Sequence, residues 1–149
     1  IRISSLALSE NEHLHVASLL QIVSDIERIS DYCENISEYA ENLANQKKKF
    51  SGVGAAEMKE MLEVCSDSFT YAVEAFEENS AEKALKVIEK ERSADDLEIR
   101  LRADHMQRLA NKQCDTEAGI VFLDALVGLE RISDHSRNIA EEVLSASNK

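Results

Sequence analysis

With 149 residues and a mass of 16.7 kDa, 44% apolar and 31% charged, the chain has the size of one soluble domain, and folding should bury roughly 70% of the unfolded surface. Its 29 acidic residues against 17 basic ones give a net charge of −12, which repels nucleic-acid backbones and anionic lipid heads and attracts cations. Proline is absent, glycine occurs four times and aromatic residues make up 5%, so the composition suits long uninterrupted helices and disfavours turn-rich β folds.

The expected fold is therefore all-α, an antiparallel bundle of four long helices in a single domain over 1–149. Ser9 followed by Glu12 has capping-box spacing and opens a first helix over about 9–49. Along it Leu19, Ile26, Cys33 and Ala40 form one heptad row, and Ile22, Ile29, Ile36 and Leu43 form the other. Lys47, Lys48 and Lys49 suit a helix C-terminus, and Ser51-Gly52 offers the break, giving a length of about 60 Å at about 1.5 Å per residue. A second helix is read over 55–78 from Met58, Met61, Leu62, Cys65, Phe69, Ala72, Val73 and Phe76, all expected in the core. Asn79-Ser80 turns into a third helix over 81–112, apolar early through Ala81, Ala84, Leu85 and Ile88. Asp115-Thr116 caps a fourth helix over 116–146, with Phe122, Leu129 and Val143 in one row and Ala125, Ile132, Ile139 and Ala146 beside it. Short loops between long helices imply antiparallel neighbours.

Cys33, Cys65 and Cys114 are odd in number and far apart, and read as reduced core thiols of a cytoplasmic protein. The longest apolar stretch, 119–129, is about half a membrane span and carries Asp124, and no secretory signal pattern precedes the first helix. The chain begins at Ile1, which is read as a piece cut from a longer protein.

Laid on the first helix with an offset of 103 residues (130 − 27), the fourth helix repeats it: Glu27-Arg28-Ile29-Ser30-Asp31 against Glu130-Arg131-Ile132-Ser133-Asp134. The match continues with Asn35 over Asn138, Ile36 over Ile139 and Glu38 over Glu141. A shared core explains the isoleucines but not the repeated acids and asparagine. Glu27 and Asp31 lie one turn apart on one helix face, as do Glu130 and Asp134, both expected to point away from the seam. A third E-x-x-x-D, Glu91 and Asp95, continues the line of Ala84 and Ile88 and so should face another helix. Two anions at that spacing cost a few tenths of a kcal/mol by repulsion, about 0.2–0.5 kcal/mol, which a bound cation would reverse. Carboxylates from separate helices of a bundle hold hard cations and iron or manganese clusters; zinc also enters, although structural zinc favours Cys and His.

The sequence E-R-I-S-D-x-x-x-N-I-x-E, present twice, resembles the repeated signature of the PhoU family of phosphate-uptake regulators. In that family an E-R-I-G-D-H-x-x-N-I helix closes each three-helix repeat, preceded by a helix with acidic E/D-x-x-x-D. Glu130, Asp134, His135, Asn138 and Ile139 match the closing helix of a second repeat, Glu91 and Asp95 the helix before it, and Glu27, Asp31 and Asn35 the closing helix of a first repeat. Ser30 and Ser133 stand where glycine is usual, loosening close helix approach. The two helices expected before the first motif are missing, which leaves Glu27 and Asp31 as half of a site. The resemblance implies a regulatory, non-enzymatic domain, located in the cytoplasm, that binds metal clusters (iron, zinc or manganese) through these acids. It would restrain phosphate transport through a transporter membrane domain or a sensor kinase. A truncated domain of this kind also forms the tail of bacterial sodium/phosphate cotransporters, tethered to the inner membrane.

Other readings stay open. A ferritin-like oxidase needs two inward E-x-x-H motifs, and the chain has only Glu12-x-x-His15. His13, His15 and His105 read as exposed helix residues, and His135 points about 100° away from Asp134 around the helix. No nucleophile elbow, phosphate loop or H-E-x-x-H is present. The rival is a metal-free acidic adaptor or dimerisation module, whose acidic face meets a basic partner and whose seam exchanges helices in a homodimer.

Overall fold

The computed structural model of the chain describes residues 9–147. Four helices account for most of them: α1 (Glu10–Asn45), α2 (Gly52–Glu78), α3 (Ala81–Ala110) and α4 (Thr116–Ser147), with no strand among the described residues. No described helix is long and apolar enough to cross a membrane. The 36 residues of α1 span about 54 Å at about 1.5 Å per residue.

The helix starts follow their capping chemistry. The Ser9 side chain accepts from the Glu12 backbone N–H while the Glu12 carboxylate accepts from the Ser9 backbone N–H at 2.8 Å, closing the expected capping box. Asp115 accepts from the Ala118 backbone N–H at 2.9 Å at the start of α4, and that bond chiefly holds its carboxyl below the ordinary value. The lysine run does not end α1. The helix stops at Asn45, Lys47 takes a left-handed backbone (φ 54°), and Lys48 turns back to pair with Asp115 and Glu117 at the start of α4. Ser51 is not a break but the N-cap of α2, accepting from the Gly54 backbone N–H, so α2 begins three residues earlier than expected.

The helices α2, α3 and α4 pack on one another, whereas α1 packs on α4 alone. Ser18 pairs with Glu142 and Asp25 with His135, Glu60 with Arg100 and Asp67 with Lys90, and Glu91 with Arg137 while His105 meets Gly119; in each case one number rises as the other falls, so α1/α4, α2/α3 and α3/α4 are antiparallel. The core gathers Met61, Cys65 and Ala72 of α2, Val87, Ala94 and Leu101 of α3, and Phe122, Leu126, Leu129, Ile132, Ile139 and Val143 of α4. Leu62 and Phe76, expected in that core, are exposed at the outer edges of α2.

On α1 only one of the two expected apolar rows is covered. Ile22, Ile29 and Leu43 are buried and Ile36 is half-buried, but Leu19, Ile26, Cys33 and Ala40 are exposed. The buried row is completed at three- and four-residue steps by Asp25, Tyr32 and Tyr39 instead. One helix facing one neighbour needs one stripe, and α1 has one neighbour. The cysteines divide accordingly: all three are free, and only Cys65 is a core thiol, its pKa pushed up to about 12 by burial.

Candidate metal centre between α3 and α4

Antiparallel packing of α3 on α4 sets the second turn of the E-x-x-x-D on α3 beside its counterpart on α4. Oxygens of Glu91, Asp95 and Asp134 lie within 4.8 Å of one another. Glu91 occupies a core row of α3, in line with Ala84, Val87 and Ala94, so its carboxylate is buried, 3% exposed. One of its oxygens, Oε1, accepts from Arg137 Nη1 at 2.9 Å; the other, Oε2, is buried without a hydrogen-bond partner. A buried carboxylate oxygen left in that state costs about 1–3 kcal/mol.

The neighbouring acids share the strain of crowding. Burial, followed by the charges of Glu91 and Asp134, holds the Asp95 carboxyl above its ordinary range. Burial and then Asp134 do the same to Glu130, which also feels Asp95 and Glu98. Two arginines answer this charge from α4. Arg131 pairs with Asp134 at 3.0 Å and with Glu130 at 3.6 Å, while Arg137 bridges Glu91 and Glu141, each at 2.9 Å. A cavity of about 280 Å³ opens beside them, lined by Glu91, Asp134, His135 and both arginines.

Of the six acids singled out in the sequence, Glu91, Asp95 and Asp134 thus come together with Glu130 alongside. Glu27 and Asp31 do not join them: both are exposed on α1, where Asp31 faces Arg28 at 3.7 Å.

One histidine is placed differently from expectation. His13 and His15 are exposed, but His105 is buried, 3% exposed, stacked on Phe122 at 4.2 Å with Nε2 3.1 Å from the Gly119 carbonyl oxygen. Burial, then the Arg108 charge, holds its pKa below the ordinary value, and Arg108 is itself gripped by Glu57. His135 turns its Nδ1 to Asp25 of α1 at 2.8 Å, and Asn138 Nδ2 donates to the same oxygen at 3.0 Å. The histidine and the repeated asparagine of the α4 motif thus clasp α1. Asp25 was not marked by sequence reasoning, although its three- and four-residue spacing from Ile22 and Ile29 places it on the covered stripe. Ser133, where glycine was expected for close approach, is fully buried and its Oγ lies 3.3 Å from Ser68 Oγ, so the hydroxyl fits between α2 and α4.

The sequence profile of the family described as the PhoU domain matches residues 2–40 and 58–143. The phosphate-specific transport system accessory protein PhoU homolog 1 of Thermotoga maritima is 29% identical over 134 residues, covering 87% of this chain and 55% of that protein. The chain thus spans about half the length of that relative. The crystal structure of PhoU from Pseudomonas aeruginosa superposes with a TM-score of 0.88 at 23% identity, over 98% of this chain and 69% of that one, which shows a shared fold.

Proposed function

The chain belongs to the PhoU domain family, and from that premise we propose that it is a non-enzymatic regulatory domain of phosphate transport that binds metal through Glu91, Asp95, Glu130 and Asp134. The observation that carries the metal reading is the buried Glu91 Oε2, which has no hydrogen-bond partner and sits among acids whose oxygens lie within 4.8 Å of one another. A cation there would relieve both the orphaned oxygen and the repulsion that lifts Asp95 and Glu130. An all-carboxylate donor set favours iron or manganese over zinc. These residues would hold the ion, and the chemistry it supplies is charge neutralisation that ties α3 to α4. Glu27 and Asp31 supply half of a second site that a further helix would complete. The partner would be a transporter membrane domain or a sensor kinase on the cytoplasmic side.

One observation favours the rival. Arg131 and Arg137 already pair with Glu130, Asp134 and Glu91, which is how an acidic adaptor neutralises itself without metal. Plasma mass spectrometry of the purified protein and of a Glu130→Gln/Asp134→Asn variant separates the two, together with melting before and after chelation. Iron or manganese retained by the wild type, lost in the variant, and a melting point lowered by chelation support the metal centre. No metal after reconstitution, with unchanged melting, supports the adaptor.

A further inference from the structure

Among the described residues Arg137 is the cation in direct contact with the buried acid of the cluster: its Nη1 donates to Glu91 Oε1 at 2.9 Å. Its Nε donates at the same distance to Glu141, one turn further along its own helix. The guanidinium is therefore anchored at the surface by one carboxylate while it reaches inward to another. The Arg137 side chain is 42% exposed and Glu91's 4%, so the arginine has room to leave and the carboxylate does not. The internal repeat sets Glu34 of α1 at the place of Arg137. The arginine thus belongs to the α3/α4 cluster alone.

We infer that Arg137 is the resident counter-ion of this cluster and that a multivalent cation loads by displacing it from Glu91, so that Arg137 sets the metal affinity of the site. The inference rests on the metal reading above. A guanidinium carries one charge and satisfies one Glu91 oxygen; a divalent ion at the convergence of Glu91, Asp95 and Asp134 faces both more charge and the unpartnered Oε2. A divalent ion held by both Glu91 oxygens, Oε1 as well as the open Oε2, takes the place of the guanidinium and must break the Arg137–Glu91 pair. The released guanidinium stays with Glu141, beside the cavity that Arg131 and His135 also line. Metal loading would then be read on the surface of α4 as an arginine freed from an internal acid.

The test is calorimetric titration of manganese(II) chloride into wild type, Arg137→Gln and Arg100→Gln. Arg100 pairs with exposed Glu60, so its variant matches the change in net charge away from the cluster. The expected result is manganese affinity in Arg137→Gln raised by about tenfold over wild type, Arg100→Gln within about twofold of it, and metal-free Arg137→Gln melting below wild type because Glu91 has lost its partner. Equal or weaker binding by Arg137→Gln, with wild type binding normally, overturns the counter-ion role and leaves the metal centre standing. Absence of manganese binding in all three overturns the metal centre and this inference with it.

Discussion

Asp25 of α1 and His135 of α4 meet at 2.8 Å across the interface that attaches α1 to the rest of the fold, and because the carboxylate accepts, the imidazole carries its proton on Nδ1. Asn138 Nδ2 reaches the same oxygen and Gln21 Nε2 reaches the other at 3.1 Å. Asp25 is 2% exposed, so these bonds form out of water. Asp25→Ala leaves the His135 and Asn138 donors unanswered at the surface α1 uses, while exposed Gln21 turns to water, and should cost about 2–3 kcal/mol. Urea denaturation would show that loss, and hydrogen exchange should rise along α1 and not along α2 and α3. Uniform exchange would mean that α1 is held by its isoleucines alone.

How legible this arrangement was in the sequence turns on those same residues. Periodicity located four helices because each carries apolar residues at three- and four-residue steps over several turns. It could not say which stripe of α1 meets a neighbour. Choosing apolar residues took the row Leu19, Ile26, Cys33 and Ala40 together with the row Ile22, Ile29, Ile36 and Leu43, while the covered stripe joins the second row to Asp25, Tyr32 and Tyr39, a carboxylate and two phenols, and leaves the first row bare. The repeat explains why the sequence carries both. Under the 103-residue offset, Leu19, Ile26, Cys33 and Ala40 fall on Phe122, Leu129, Ser136 and Val143, all buried because α4 is flanked by α1 on one side and by α2 and α3 on the other. The α1 helix repeats a two-sided pattern with one side in contact. The acids on α3 and α4 were legible because the motif repeats, whereas the arginines that answer them are single residues whose partners lie on another helix. His105 gave no signal, since a polar residue in a core row is known only by its neighbours.

His105 makes the fold sensitive to mild acid. Burial and Arg108 hold its pKa below the ordinary 6.5, so the neutral ring is the form the fold favours. Its contribution is fully present above pH 6.5, declines as pH falls below that value, and levels off below the lowered folded-state pKa. Melting curves between pH 7.5 and 5 should fall for the wild type, and His105→Phe, which keeps a ring against Phe122, should lose that part of the slope. An unchanged slope would assign the acid sensitivity to other groups.

Glu130→Gln should move stability and metal binding in opposite directions. Burial and Asp134 raise the Glu130 pKa, so its stabilising contribution is full at acid pH and is lost as pH rises through the folded value; at neutral pH the ionised side chain opposes folding. The amide removes that repulsion. Without metal the variant should be more stable by about 0.5–1 kcal/mol, raising the melting point by about 1–4 °C. In saturating manganese the wild type should gain more than the variant, and at about 100 times its dissociation constant that gain is about 2.7 kcal/mol. A variant stabilised by metal as strongly as the wild type would remove Glu130 from the ligand set.

Gly119 marks a close approach of α4 to α3. A Cβ there would stand 2.6 Å from Leu109 Cδ2 and 3.0 Å from His105 Nε2. Gly119→Ala must therefore push aside both the leucine and the histidine that bonds to the Gly119 carbonyl, at a cost of about 1–3 kcal/mol. The helix propensity of alanine returns about 1 kcal/mol of that. A net loss of about 0–2 kcal/mol in denaturant titration is expected, and a gain would show that Leu109 yields freely.

Cys33 and Cys65 report on the two faces of the molecule. Cys65 is 1% exposed between α2 and α4, with its thiol pushed up to about 12, and a thiol that is both buried and protonated reacts slowly. Cys33 lies on the uncovered stripe of α1, beside Ile26 and Ala40. Modification of the native protein by an aromatic disulfide reagent at pH 8 should therefore consume Cys33 quickly, Cys114 at an intermediate rate and Cys65 only on unfolding. The protein concentration supplies the second axis. If two copies pair through the bare stripe of α1, Cys33 becomes protected as concentration rises; if the stripe is free, its rate stays constant while Cys65 remains silent throughout.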